Sequence, residues 1–297
     1  MDLFSPRHCQ WEDMPNNVTI NDPADPRIEA YRDIRERDLV GREGMFVAEG
    51  KVVLEKLVAS RSYRPVSLLI AAKRVDLLAP LLVQVPEDVP VFAAAQPVID
   101  AIAGFPLHRG ILAMGRRVAS PTANDLLSGL PAEADVLLVS AIANHDNMGG
   151  IFRNAAAFGA KAILLDPDCC DPLYRKAIRV SVGAALLVPF ARLPRGEDPI
   201  ALLDRHGFTP IALSPAGVTP LDEYAPRPRN AVLLGAEGPG LSTELIDRSA
   251  SVRIEMAAGF DSLNVATTSG IVLHHLSAER RRRLGPGRID QSPGGPR

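Results

Sequence analysis

Three stretches of the 297-residue chain set polar groups among small residues in a way that suits ligand contact better than packing. The first is Asn144-His145-Asp146-Asn147-Met148-Gly149-Gly150-Ile151-Phe152-Arg153-Asn154. It follows an apolar segment and enters a helical one. Asn147, the glycine pair and Arg153 are therefore expected near one helix N-terminus, a setting that favours an anion. A cation in a first turn gains nothing from the helix dipole, so its placement there points to an anionic partner for Arg153. A surface arginine beside a turn is the plainer reading. The second stretch is Gly235-Ala236-Glu237-Gly238-Pro239-Gly240. Its glycines let a backbone approach a ligand and take positive φ, and Glu237 is a carboxylate where core packing would not place one. The third runs Asp261-Ser262-Leu263-Asn264, a hydroxyl and an amide just ahead of a helix that opens Val265-Ala266-Thr267-Thr268-Ser269-Gly270. Those small residues let another backbone pack closely. An ordinary glycine turn and an ordinary N-cap would explain either of these two loops alone, but less readily both together.

Other chemistries fit less well. Neither GxGxxG nor GxxxxGK[ST] occurs in a strand-to-helix setting, which argues against a nicotinamide enzyme and a P-loop NTPase. His145, His274 and His275 invite metal or general-base roles, but the last two are adjacent and face different sides of a helix. No HxxxH or HExxH is present, so no metal is expected. Cys9, Cys169 and Cys170 form no CxxC, and a reducing cytoplasm fits them.

The elements that must position these residues alternate between strand and helix. Apolar strands are expected at 45–48, 66–71, 90–93 and 110–114, with helices at 26–39, 49–59, 76–83 and 97–102. Residues 1–20 have no clear period and read as a loosely held arm. Residues 21–117 make a small α/β domain, and 118–134, rich in Ala, Ser, Pro and Asn, form a linker. The pattern restarts at Asp135 and runs to 284, with 285–297 a Gly/Pro-rich disordered tail. In this second domain, strands are expected at 136–142, 161–165, 186–190, 208–213 and 231–234. A loop spans 143–150, followed by a helix from Ile151 that Gly159 caps. Further helices are expected at 172–182 and 199–205, and a long one from Val265. Loops at the carboxyl ends of parallel strands are where ligands sit in such sheets.

Bulk properties bound the rest. Apolar residues make up 46% and charged residues 23%, ordinary values for a soluble globular chain. A net charge of −2 carries no global signature of nucleic-acid binding, although a local groove would suffice. No apolar run is long enough to span a bilayer, and the acidic N-terminus does not read as a signal peptide.

Taken in order, these motifs resemble the SpoU/TrmH family of RNA 2′-O-ribose methyltransferases, of the SPOUT superfamily. The residues that carry the resemblance are Asn147-Met148-Gly149-Gly150 with Arg153-Asn154-Ala155 and Phe158-Gly159, Leu234-Gly235-Ala236-Glu237-Gly238 with Gly240, and Ser262-Leu263-Asn264-Val265-Ala266. More loosely, Phe46-Val47-Ala48-Glu49-Gly50 and Leu107-His108-Arg109-Gly110-Ile111 look like that family's substrate-binding domain. The resemblance implies an α/β chain with a C-terminal parallel sheet tied in a deep trefoil knot, plus a smaller N-terminal α/β substrate-binding domain. It implies S-adenosyl-L-methionine as methyl donor, held largely through backbone at Gly235, Ile254, Met256 and Leu263. This chain carries Glu255 where the family often has proline. RNA, either tRNA or rRNA, would be the substrate, and the enzyme a homodimer. Arg153 would bind the phosphate beside the reacting ribose and orient its 2′-hydroxyl, since an arginine stays protonated. Asn147 would shape the ribose pocket, Glu237 orient the loop, and Ser262 and Asn264 position the nucleotide and cap the last helix. A non-catalytic RNA-binding or assembly protein on the same fold is the alternative.

Overall fold

The computed structural model describes residues 16–32, 44–104, 107, 109–260 and 262–284. Contacts between Cα atoms divide the chain into two compact units, one of residues 1–120 with 171–187, the other of residues 121–170 with 188–297.

The first unit is built on a mixed five-stranded sheet. Its strands are β1 (Asn17–Ile20), β2 (Met45–Glu49), β3 (Tyr63–Ala71), β4 (Val91–Ala94) and β5 (Ile111–Arg117), in the order β1-β4-β3-β5-β2. β1 and β3 run parallel to β4, while β5 is antiparallel to both β3 and β2. Helices α1 (Lys51–Val58), α2 (Val75–Leu82) and α3 (Gln96–Ala103) connect the strands. Ile28, Tyr31, Leu69, Phe92 and Ile99 form the centre of its core. Two expectations change here. The end of the supposed arm is strand β1, whose short length and mixed polarity hide it from a periodicity reading. The helix expected over 26–39 is a 3-10 helix at Pro26–Tyr31, and residues 33–39 lie outside those described.

The second unit is a seven-stranded, all-parallel sheet. Its strands are β6 (Ala134–Val139), β7 (Ala162–Leu165), β8 (Phe190–Arg192), β9 (Thr209–Leu213), β10 (Thr219–Pro220), β11 (Arg229–Leu234) and β12 (Ala250–Arg253). The order is β10-β12-β9-β11-β6-β7-β8. β6 and β11 are almost wholly buried, as expected of strands covered on both faces. Helices α4 (Ala123–Ser128), α5 (His145–Phe158), α6 (Arg175–Val180), α7 (Pro199–Arg205), α8 (Thr243–Asp247) and α9 (Val265–Leu284) complete the sequence, with α6 belonging to the first unit. The chain leaves β6 for β7 and β8 on one side. It then returns to β9 on the other, and β11 closes the gap between β9 and β6. The carboxyl ends of β6, β9, β11 and β12 thus lie together where the winding reverses, which is where open parallel sheets bind ligands.

Two further expectations fail for identifiable reasons. The apolar run 186–190 does not form a strand. Gly183, at φ 75°, ends the preceding turn, Ala184–Leu186 form a buried 3-10 turn, and only Phe190–Arg192 pair with β7. The loop expected over 143–150 is largely helix, because Asn144 caps α5 at its true start by accepting hydrogen bonds from the Asp146 N–H (2.8 Å) and the Asn147 N–H (3.4 Å). Among the described residues no helix is long and apolar enough to cross a membrane.

Candidate active site

The approach to the site begins where β6 ends. Ala141 takes φ 54°, a conformation that costs an L-residue energy. Asp166, after β7, holds the turn by accepting hydrogen bonds from the Ser140 hydroxyl (2.7 Å) and the Ala141 N–H (2.8 Å). This aims Asn144 at the start of α5 and leaves Asn147, two residues into the helix, buried with only 6% exposure.

The loop after β11 is folded tightly on itself. The Gly240 N–H donates to the Ala236 carbonyl at 3.0 Å, and Gly238 and Gly240 both have positive φ. Gly235 is required by space as well: a Cβ there would lie 2.3 Å from the Gly240 carbonyl carbon. The loop presents Glu237, whose Oε1 accepts a hydrogen bond from the Asn147 side-chain amide. Asn264 joins both residues. Its Nδ2 donates to Asn147 Oδ1 at 2.8 Å and lies 3.4 Å from Glu237 Oε1, while its Oδ1 accepts from the Ala266 and Thr267 N–H groups and so caps α9. One network thus ties together the start of α5, the β11 loop and the start of α9.

Small residues let these helices meet. A Cβ on Gly150 would stand 2.6 Å from the Ala266 Cβ, and Gly270 faces the Asn154 amide. The Asn154 Nδ2 donates to the Ala266 carbonyl (2.6 Å) and to the Ser269 hydroxyl (3.0 Å). The close packing expected from the small residues opening α9 is present. Asn154, which bridges the helices, was visible in the sequence only as part of a motif.

Gly235, Ile254, Met256 and Leu263 line a single cleft of about 200 Å³, together with Glu237 and Ser262. Leu213 at the end of β9, with Ser214 and Pro215 from the loop after it, forms another wall that the sequence reading missed. The only signal for them was a proline-rich loop following a parallel strand. The walls are mostly apolar, with few side-chain polar groups, which suits an aromatic base against backbone better than a metal. Among the described residues no cluster of His, Cys, Asp or Glu could hold a metal ion. Glu255 pairs with Arg253 (2.7 Å), whose guanidinium also donates to the Gly217 and Val218 carbonyls, so the loop after β12 is fastened to the loop after β9. Asp261 lies outside the described residues.

Arg153 differs from its expected position. Because α5 begins at His145, Arg153 stands in the helix's third turn rather than its first, and the argument from the helix dipole does not apply. At six residues from Asn147 it is turned by about 120° around the axis and displaced by about 9 Å. It is exposed, lies outside the cleft lining, and makes no hydrogen bond or ion pair among the described residues. His145 belongs to the first turn of α5. The His275 ring lies 3.0 Å from the Tyr224 carbonyl, and His274 packs edge-on against Phe158.

Comparison with known proteins agrees with this geometry. Residues 135–274 match the model of the SpoU rRNA methylase family. The chain is 37% identical over 290 residues to an uncharacterized tRNA/rRNA methyltransferase of Mycobacterium bovis, covering 95% of this chain and 98% of that one. A relative of the same description from Mycobacterium tuberculosis matches equally. In fold, it is similar to an AdoMet-bound rRNA methyltransferase from Sinorhizobium meliloti, with a TM-score of 0.75 at 24% identity, covering 91% of this chain and 99% of that one. It is also similar to an RNA 2′-O ribose methyltransferase, with a TM-score of 0.70 at 21% identity over 89% and 99% of the two chains. With a cleft at the carboxyl ends of the central strands, a three-residue network beside it and relatives that match along nearly its whole length, the chain belongs to the SpoU rRNA methylase family.

Proposed function

We propose that the protein transfers a methyl group from S-adenosyl-L-methionine to a ribose 2′-hydroxyl of tRNA or rRNA, working as a homodimer. The observation that carries this reading is the convergence of Gly235, Ile254, Met256 and Leu263 on one cleft beside the Asn147–Glu237–Asn264 network. The apolar walls and close backbone fit an adenosyl group. When bound there, the sulfonium supplies an activated methyl, so the protein's task is to position the reactants.

Glu237 and Asn264 hold Asn147 in one orientation and so fix the wall on the ribose side. Ser262, exposed on the rim of the cleft, contacts the nucleotide. Arg153 binds the phosphate next to the reacting ribose. It stands apart from the cleft of its own chain, and a homodimer supplies the second surface that would bring an arginine to the reaction. The trefoil knot expected from the resemblance accords with β11 lying between β6 and β9 and with α9 folding back on α5. The first unit is the RNA substrate-binding domain.

The test is transfer of labelled methyl to bulk cellular RNA from a strain lacking this protein. Label on the ribose of a tRNA-sized or rRNA-sized species is expected. No label together with no cofactor binding would overturn the reading in favour of a non-catalytic RNA-binding protein.

A further inference from the structure

A second cleft, of about 380 Å³, lies wholly within the first unit and far outnumbers its acids with cations. Its size falls within the range of small-ligand sites, roughly 300–1,000 Å³. Lys51 opens α1, Arg74 ends the 3-10 turn before α2, Arg109 stands in the turn before β5, and Arg179 lies on α6. Four separate segments therefore each contribute one positive charge. Arg74, Arg109 and Arg179 make no hydrogen bond or ion pair among the described residues, and the Arg74 Nε is buried without a partner. Among the described residues Lys51 pairs only with Glu55, at 3.8 Å, an exposed pair of little energy. Like charges so grouped repel one another, and a bound anion would relieve that repulsion.

The backbone adds to the same field. Gly50 is the N-cap of α1, with φ 92° and no side-chain capping bond, so among the described residues no side chain caps the first-turn N–H groups. The Arg109 side chain lies across Gly50: a Cβ there would meet its Cδ at 3.1 Å and its Nη1 at 3.2 Å. Glycine at this position therefore lets a guanidinium sit against a helix N-terminus, where both favour a phosphate.

Glu49, the one acid among the described residues lining the cleft, indicates what accompanies that phosphate. It is only 8% exposed, and its Oε2 has no hydrogen-bond partner among the described residues, with the Arg175 guanidinium 3.8 Å away. A buried carboxylate oxygen without a donor calls for one from the ligand. The phosphodiester of an RNA backbone has no such donor, whereas the nucleotide around it offers its ribose hydroxyls or a base amino group.

We propose that this cleft seats an unpaired segment of the substrate RNA, with Lys51, Arg74, Arg109 and Arg179 on its phosphates and Glu49 accepting from a ribose hydroxyl or base amino group. The assignment rests on the RNA-methyltransferase reading and gives the first unit its contact residues. It makes these residues binding groups for the substrate.

The experiment compares the full-length wild type with the R74A/R109A variant. RNA binding is measured across salt concentrations, together with labelled methyl transfer and S-adenosylmethionine affinity. In the variant, RNA affinity should fall on the order of tenfold and the salt slope by about 1.4, or about 0.7 for each lost phosphate contact on a single strand. KM for RNA should rise while kcat and cofactor affinity stay put, and R74K/R109K should recover most of the loss. If the double alanine variant melts early, the exposed-site variant R109Q carries the same test at half the slope change. Unchanged RNA affinity and salt slope in a variant whose wild type methylates RNA would overturn the cleft assignment alone. A wild type that neither binds nor methylates RNA would overturn both readings. A nucleoside monophosphate that binds wild type as tightly as RNA and is lost in the variant would replace the RNA segment with a small nucleotide.

Discussion

Asn264 donates its side-chain amide to Asn147 Oδ1 at 2.8 Å across 117 residues of sequence. The same asparagine caps α9 through its own carbonyl oxygen. One residue therefore starts the last helix and fixes the wall beside the cleft. Asn264→Ala should cost about 1 kcal/mol through the lost cap and lower turnover as Asn147 is freed. Asn264→Asp keeps the cap but exchanges the donor for a second carboxylate facing Glu237. A thermal melt with a methyl-transfer assay should find Ala the less damaging of the two for activity. Equal activity in Asp and wild type would mean that the contact does not position Asn147.

Glu237 accepts from the Asn147 amide and sits within reach of the Asn264 amide. Glu237→Ala leaves the buried Asn147 donor without its partner, at a cost of roughly 1–3 kcal/mol. Glu237→Gln keeps an acceptor and should retain most of the stability while weakening the charge-assisted bond. Chemical denaturation of the three proteins should rank them wild type, Gln, Ala.

Arg153 is exposed and makes no hydrogen bond or ion pair among the described residues, so its loss should not disturb the fold. Arg153→Ala is expected to keep wild-type melting and cofactor affinity and to lose roughly 100-fold in turnover, the order of one well-placed electrostatic contact to the reacting group. Near-wild-type turnover would remove Arg153 from the mechanism. Mixing Arg153→Ala with Glu237→Ala chains tests where the arginine acts. Recovered activity in the mixture requires a dimer in which each chain supplies a different part of the site.

Gly150 has no room for a side chain against Ala266. Gly150→Ala should destabilise by about 1–3 kcal/mol through overpacking, although alanine is the better helix former. Ala266→Gly in the same chain should restore part of the loss. A Gly150→Ala protein that melts at or above the wild-type temperature would refute the close α5–α9 packing.

Asp135 is buried at the start of β6, with the Arg280 guanidinium at 2.6 Å and the Asn230 amide at 2.8 Å. Burial pushes its carboxyl above the usual carboxylate range, against the opposing pull of Arg280 and Asn230. Removing Arg280 leaves the charge uncompensated, so Arg280→Met should cost about 3 kcal/mol near neutral pH. The sign of the pH dependence follows from the raised value. A carboxyl whose pKa is higher folded than unfolded favours folding below its unfolded value and loses that contribution as pH rises through its folded value. The Arg280→Met deficit should therefore shrink as pH falls, and Asp135→Asn in the same chain should recover much of it. A deficit independent of pH would mean that Asp135 does not titrate with folding.

The sequence by itself determined the alternation of strands and helices, the apolar character of β6 and β11, and the three motifs that turned out to share one site. Each of these is local, written in apolar period, glycine placement and capping residues. The start of α5 was misread because Gly149-Gly150 looks like a turn. Gly150 is instead a helical residue kept small for Ala266, a partner that only the folded chain supplies. The misplacement of Arg153 followed from that one error. The tertiary structure alone decided the strand order, which brings the ends of β6, β9, β11 and β12 together. It also decided that residues 171–187 pack with the first unit, where Arg179 and Glu49 share a cleft. Such long-range pairings leave no periodic trace in the sequence, since they rest on shape and charge complementarity between segments distant along the chain.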